Sequence, residues 1–204
     1  MQKIVLLGDE AIAQGALDAG VSAVYAYPGT PSTEITEYVI RSKAHRDGEV
    51  VATWTTNEKT SMESALGVSY AGKRAMVCMK HVGLNVAADA FMNAPITGVN
   101  GGLVVVSADD PSMHSSQNEQ DSRYYGKFAQ IPILEPINQQ EAYDMMPYAF
   151  EMSERLNVPV LMRITTRLAH SRAGILLGEK TPQNKLALPK NPRQFVLLPG
   201  IARK

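Results

Sequence analysis

A single cysteine, Cys78, rules out an intramolecular disulfide and any metal cluster held by several thiolates within this chain. Its setting, Ala75-Met76-Val77-Cys78-Met79, is that of a buried core thiol. Charge of one sign is lacking too. Lys and Arg together number 20, Asp and Glu together number 20, and no block of five like charges occurs, which argues against nucleic acid or an anionic membrane as the main partner. No apolar run approaches the roughly 18 residues of a membrane span. The opening Met1 to Leu7 gives way to Asp9-Glu10 too soon for a signal peptide, so the expected location is cytoplasmic. There is no Walker-type phosphate loop, and Gly98-Val99-Asn100-Gly101-Gly102 does not match the dinucleotide fingerprint.

What is present is 45% hydrophobic residues over 204, enough for the core of one domain. Short apolar runs at Ile4–Leu7, Ala23–Ala26, Val50–Trp54, Ala75–Met79, Leu103–Ser107 and Val158–Ile164 suit strands buried on both faces. Between them, Glu10–Ala19, Ser32–Lys43, Glu58–Ala71, Leu84–Met92 and Gln139–Leu156 have helical spacing. The alternation predicts an α/β fold of three layers, with a mostly parallel sheet of about six strands and helices on both faces. Asn57 is placed to cap the helix begun by Glu58, and Ser32 or Thr33 the helix containing Glu34. Gly20 and Gly72 suit helix ends. Pro147 predicts a kink or a later helix start. The polar passage from Ser107 to Pro136 is too long for an ordinary connection. The expected domain covers 1–172, with 173–204 an extended tail whose Phe195-Val196-Leu197-Leu198 run lies against another surface.

Three strand ends carry candidate chemistry. Glu58 is a carboxylate at a first helical turn, among residues that could hold it partly desolvated and so make it a donor to a ring nitrogen. It also simply complements a helix dipole. Tyr27-Pro28-Gly29-Thr30-Pro31-Ser32 combines stiffening prolines, a glycine open to close approach and the Thr30 hydroxyl, yet it is also a plain strand-to-helix turn. Lys80-His81-Val82-Gly83-Leu84-Asn85 sets a cation, an imidazole and an amide beside a glycine, where a structural histidine is the bland reading. In the polar passage, Asp109, Asp110, His114, Glu119 and Asp121 show no recognised ligand spacing, so no metal site is assigned. Arg123 suits either a bidentate pair with a substrate carboxylate or a surface ion pair.

Taken together, GDEAIAQGALDAG (8–20), AYPGTPSTEI (26–35), TNEK (56–59), MKHVGLNVAAD (79–89) and DDPSMHSSQNEQDSRYY (109–125) resemble the pyrimidine-binding domain of thiamine diphosphate-dependent 2-oxoacid:ferredoxin oxidoreductases, most of all the indolepyruvate branch. The resemblance implies that Glu58 hydrogen-bonds the cofactor's pyrimidine ring. It places Thr30 by the substrate and thiazolium, with Pro28 and Gly29 shaping the wall, and Arg123 at the 2-oxoacid carboxylate. His81, Gly83, Leu84 and Asn85 would line the cofactor cleft, His81 also facing the substrate.

The reaction implied is oxidative decarboxylation of an arylpyruvate with coenzyme A, electrons leaving through [4Fe-4S] clusters to ferredoxin. Magnesium and the clusters belong to a diphosphate-binding domain, a cluster domain and a β subunit that these residues do not include. The chain therefore reads as one piece of a larger enzyme, inactive alone, that pairs with its partners and forms dimers or larger assemblies. Pyruvate or 2-oxoglutarate oxidoreductases, a 2-oxoacid decarboxylase, or a non-catalytic interaction module remain as alternatives.

Overall fold

A computed structural model describes residues 2–184 and 186–202. In chain order the elements are β1 (Lys3–Leu7), α1 (Gly8–Asp18), β2 (Ala23–Ala26), α2 (Thr33–Arg41), α3 (Lys43–Arg46), β3 (Val51–Trp54), α4 (Glu58–Tyr70), β4 (Ala75–Lys80), α5 (His81–Thr97) and β5 (Leu103–Asp109). Then come α6 (Arg123–Ala129), β6 (Ile133–Leu134), α7 (Gln139–Leu156), β7 (Val160–Thr165), α8 (Thr166–Ala169), β8 (Arg172–Leu176), a 3₁₀ turn at Pro192–Phe195 and α9 (Pro199–Ala202).

Six strands form one parallel sheet in the order β3-β2-β4-β5-β7-β6. The continuous apolar runs of its inner strands divide by the two-residue period of a strand. Met76 and Cys78 of β4, Val104 and Val106 of β5, and Met162 and Ile164 of β7 pack with Ile12, Ile35, Met146 and Phe150 from α1, α2 and α7. Their neighbours Val77, Met79, Val105 and Leu161 pack on the opposite face with Met62, Leu84 and Phe91 from α4 and α5. The expected three-layer α/β fold is thus borne out. Cys78 is fully buried, and burial pushes its thiol far up, with Asp9 adding to the shift.

Several expectations need correction. Ile4–Leu7 is a strand, but not of the parallel sheet: β1 pairs antiparallel with β8 in a separate two-stranded sheet. The sixth parallel strand is instead the two-residue β6, too short to stand out inside the polar passage. Since β8 spans Arg172–Leu176, the expected boundary after Arg172 falls inside a paired strand. The fourth predicted helix begins at His81 rather than Leu84. The helix containing Pro147 starts at Gln139 and runs on to Leu156.

Beyond β8 the chain straps the amino-terminal edge of the sheet. Thr181 N–H donates to Asp18 O (2.7 Å), Gln183 Nε2 to Glu49 O (2.6 Å), and Asn184 Nδ2 to Glu154 Oε1 (2.9 Å). Glu154 also takes a bidentate pair from the buried Arg74, at 2.9 and 2.8 Å. The Phe195 ring then stacks on Tyr70 of α4, centroids 3.9 Å apart, so the surface that run lies against is the chain's own. With its amino-terminal edge strapped, the sheet leaves its carboxyl-terminal edge, the rim, to carry chemistry. No helix among the described residues is long and apolar enough to cross a membrane.

Candidate functional site

Strand order locates a crevice before any side chain is considered. From β2 the chain crosses outward to β3, whereas from β4 it crosses the other way to β5, and β2 and β4 are neighbours. Open α/β sheets bind ligands outside the carboxyl ends of such strands. The loop after β2 is Tyr27–Ser32 and the segment after β4 opens α5 with His81. The two touch, since a Cβ on Gly29 would stand 3.1 Å from Lys80 Cδ.

The β2 loop is closed on itself. Gly29 N–H donates to Thr33 Oγ1 (3.0 Å), while Ser32 donates through both N–H and Oγ to Gly29 O (2.8 Å each). Ser32 and Thr33 therefore lock the turn holding Thr30 instead of capping α2 by a side-chain bond. The peptide bond between Thr30 and Pro31 is cis. By contrast, Asn57 caps α4 as expected, its Oδ1 accepting from Thr60 N–H (2.9 Å).

That cap starts α4 at Glu58, and α4 packs over β2 and β4, so the carboxylate arrives at the same crevice. Glu58 leans on the first turn of α5: a Cβ at Gly83 would lie 2.5 Å from Glu58 Oε1. Only glycine leaves room for it. Glu58 is 8% exposed, and no hydrogen bond or ion pair from the described residues engages its carboxylate. Its oxygens are not among the side-chain atoms closed off from solvent without a partner, so the carboxylate is free to meet a ligand at this switch-point crevice.

His81 is buried beside it. Its Nε2 lies 3.1 Å from Asn118 O and 3.2 Å from Asn118 Oδ1. Both partners are acceptors if the amide is oriented this way, which assigns the proton to Nε2 and leaves Nδ1, buried and unpartnered, as an acceptor. Lys80 Nζ reaches Ser115 O (2.9 Å), and Tyr125 Oη donates to Asn85 Oδ1 (2.6 Å). Leu84 is fully buried in the core beneath this turn. The passage from Asp110 to Ser122 is thereby drawn over α5. Asn118 was missed as a site residue, because nothing in its local spacing ties it to a histidine 37 positions away.

The passage is anchored at both ends. Asp109 accepts from Ser122 through N–H and Oγ (3.0 and 2.6 Å) and from Arg163 Nε (2.7 Å). Asp110 accepts from Thr166 Oγ1, Ser115 N–H and Ser116 Oγ. Burial alone would push the Asp110 carboxyl up, but these bonds outweigh it and hold it down at about 2. Both carboxylates are thus engaged structurally.

Arg123 lies elsewhere along the rim. It pairs with Asp121 (2.6 Å) and Glu135 (3.3 Å) and is half exposed, beside a cavity of about 750 Å³ lined also by Thr165, Arg167 and Ser171. Glu135 follows β6, three strands from β4, or about 14 Å of sheet. The rim thus gathers Thr30, Glu58, His81 and Gly83 at one crevice and sets Arg123 in a second cluster. A cavity of about 830 Å³ lies away from the crevice, between α1, α2 and the tail.

A carboxylate without protein partners at a switch-point crevice is the arrangement of an α/β domain that binds a ligand at its sheet edge. The pattern of the pyruvate flavodoxin/ferredoxin oxidoreductase, thiamine diphosphate-binding family matches residues 14–197, and the chain belongs to that family. It is 51% identical over 208 aligned residues to the indolepyruvate oxidoreductase subunit IorA of Pyrococcus abyssi, covering 99% of this chain and 32% of that subunit. The IorA subunit of Archaeoglobus fulgidus is 46% identical, with 100% and 33% covered. The 2-oxoglutarate synthase subunit KorA of Methanothermobacter thermautotrophicus is 26% identical, with 96% and 53% covered. The chain therefore spans about a third of the length of the IorA subunits. A solved 2-oxoglutarate:ferredoxin oxidoreductase from Magnetococcus marinus, 22% identical, shares the fold at a TM-score of 0.77 over 87% of this chain and 32% of that one.

Proposed function

We propose that this chain is the pyrimidine-binding part of an indolepyruvate:ferredoxin oxidoreductase, acting on aryl 2-oxoacids with coenzyme A once partner domains close the crevice. The observation that carries the reading is Glu58, buried, unengaged and seated against Gly83 at the switch point. A carboxyl group there fits a ring nitrogen of thiamine diphosphate. When bound, that cofactor supplies the carbanion stabilisation that decarboxylation of a 2-oxoacid requires.

The chain's own residues bind and orient. Glu58 would hold a hydrogen bond to the ring, while Pro28, Gly29 and Thr30 form one wall and His81, Gly83 and Asn85 the other, with the fully buried Leu84 packed behind them. The Nδ1 of His81, buried without a partner among the described residues, would serve as an acceptor once a ligand or partner domain reshapes the turn. Arg123 meets a substrate carboxylate only on release from Asp121 and Glu135. Magnesium and the iron–sulfur clusters belong to other domains or subunits, as one cysteine cannot hold a cluster. Ferredoxin and a β subunit complete the electron path, in the cytoplasm. Aryl substrates are favoured over 2-oxoglutarate because identity to the indolepyruvate subunits is roughly double that to the 2-oxoglutarate subunit.

Gly83→Ala tests the geometry. The added methyl collides with the Glu58 carboxylate and must displace it. Alanine is the better helix former by about 1 kcal/mol, so the fold should hold or gain stability. In the enzyme reconstituted with its partner domains, the cofactor should bind about tenfold or more weakly while the melting temperature does not drop. Unchanged cofactor affinity would remove Glu58 from the binding site.

A further inference from the structure

Behind the Thr30 loop lies a group that the function above does not use. Asp9, in the first turn of α1, is completely buried, and neither carboxylate oxygen has a hydrogen-bond partner among the described residues. Near it lie Glu34, in the first turn of α2, and His170, just past α8; one side-chain polar atom from each of the three lies within 4.8 Å of the others. Glu34 Oε2 is itself buried without a donor and stands 3.5 Å from His170 Nε2. Two carboxylates brought together where no hydrogen bond is made to Asp9, with one part-exposed imidazole 3.5 Å from Glu34, favour sharing a proton over carrying two full charges.

We propose that Asp9 and Glu34 hold one proton between them, and that this acid–carboxylate pair makes Asp9 a positioning residue that fixes the start of α2 and thereby the loop carrying Thr30. The connection is short. Thr33, adjacent to Glu34, accepts the Gly29 N–H bond that closes the loop. The inference rests on the proposed function only in what Thr30 faces; the proton itself is independent of any cofactor.

The charged and titratable groups around the pair are Glu10 on α1, Glu34 on α2, His170 after α8 and Cys78 on β4. Glu10 is occupied by the Leu7 N–H (2.9 Å). Burial first, then Glu34, then Glu10, all push the Asp9 carboxyl well up. The native state thus binds a proton that the unfolded chain has released above about pH 4. Stability linked to Asp9 is full below that pH and is lost progressively as pH rises toward the native value.

Asp9→Asn is the test, because its amide donates permanently to Glu34 without a titrating proton. Melting curves of the 204-residue chain from pH 5 to pH 9 should show wild type falling relative to Asp9→Asn by on the order of 5 °C. Asp9→Ala should be the less stable at every pH, with asparagine rescuing it. Glu34→Gln, a second variant, should flatten the same pH dependence, since the introduced amide can donate to an ionised Asp9. Infrared spectra of wild type at pH 7 should show a protonated-carboxyl stretch. Parallel wild-type and Asp9→Asn melting curves would overturn the proposal. So would the absence of that stretch, or stabilisation of wild type but not Asp9→Asn by micromolar Zn²⁺ or Mn²⁺, which would make the occupant a cation.

Discussion

Replacing Glu58 with glutamine in the reconstituted enzyme should lower turnover of indolepyruvate by about 10²- to 10⁴-fold, the usual span for loss of a positioned acid–base group. Glutamine keeps the shape and the contact with Gly83 but cannot pass a proton to or from a ring nitrogen. Folding should hardly respond, because no partner within the described chain engages the carboxylate. The cost is limited to the helix-dipole contribution of a first-turn anion, about 0.3–1 kcal/mol. Turnover and melting temperature are measured on the same preparation. Unaltered turnover on indolepyruvate, pyruvate and 2-oxoglutarate alike would move this domain from a catalytic half-site to an interaction module.

The second large effect is on stability. Asp109→Ala removes the acceptor that joins Ser122 to Arg163, and Arg163 is itself largely buried. Breaking such a buried pair from one side costs about 3–5 kcal/mol. Glu135 and Asp121 still face Arg163, which sets the expectation at the lower end, about 3 kcal/mol, or a fall of roughly 6–12 °C in melting temperature. Asp109→Asn retains an acceptor for Ser122 and should fall less. Because Ser122 ends the passage that brings Asn118 to His81, the alanine variant should also weaken cofactor binding more than its stability loss alone explains. Calorimetric melting together with cofactor titration of the reconstituted enzyme reads both effects.

Much of this was legible in the residues, for physical reasons that differ from element to element. The strands β2, β4, β5 and β7 announce themselves because burial on both faces demands unbroken apolar runs. The Asn57 cap and the start of α4 were legible because capping chemistry is local. The placement of Ile4–Leu7 was not, since an apolar run marks a strand but not which partner it finds, and here β8 claims it and leaves Val5 exposed. With two residues, β6 carries no pattern at all.

The same distinction holds at the crevice. Glu58, Thr30 and His81 lie at strand ends that sequence marks directly. Their convergence follows from strand order, which no local pattern contains. Asn118 and the meeting of Asp9 with Glu34 are products of tertiary folding across tens of residues. For Arg123, the surface ion pair weighed beside the substrate role is the arrangement seen, with Asp121 and Glu135 as partners.

The central claim, a half-site that needs its partner, is tested most directly by calorimetric titration with thiamine diphosphate and magnesium. The chain is titrated first alone and then mixed with a separately prepared diphosphate-binding domain of its own enzyme. Binding only in the mixture is the predicted result, with the open crevice of Glu58, Thr30 and His81 closed by the partner. Tight binding to the chain alone, or none in a mixture shown to be folded and associated, would contradict it.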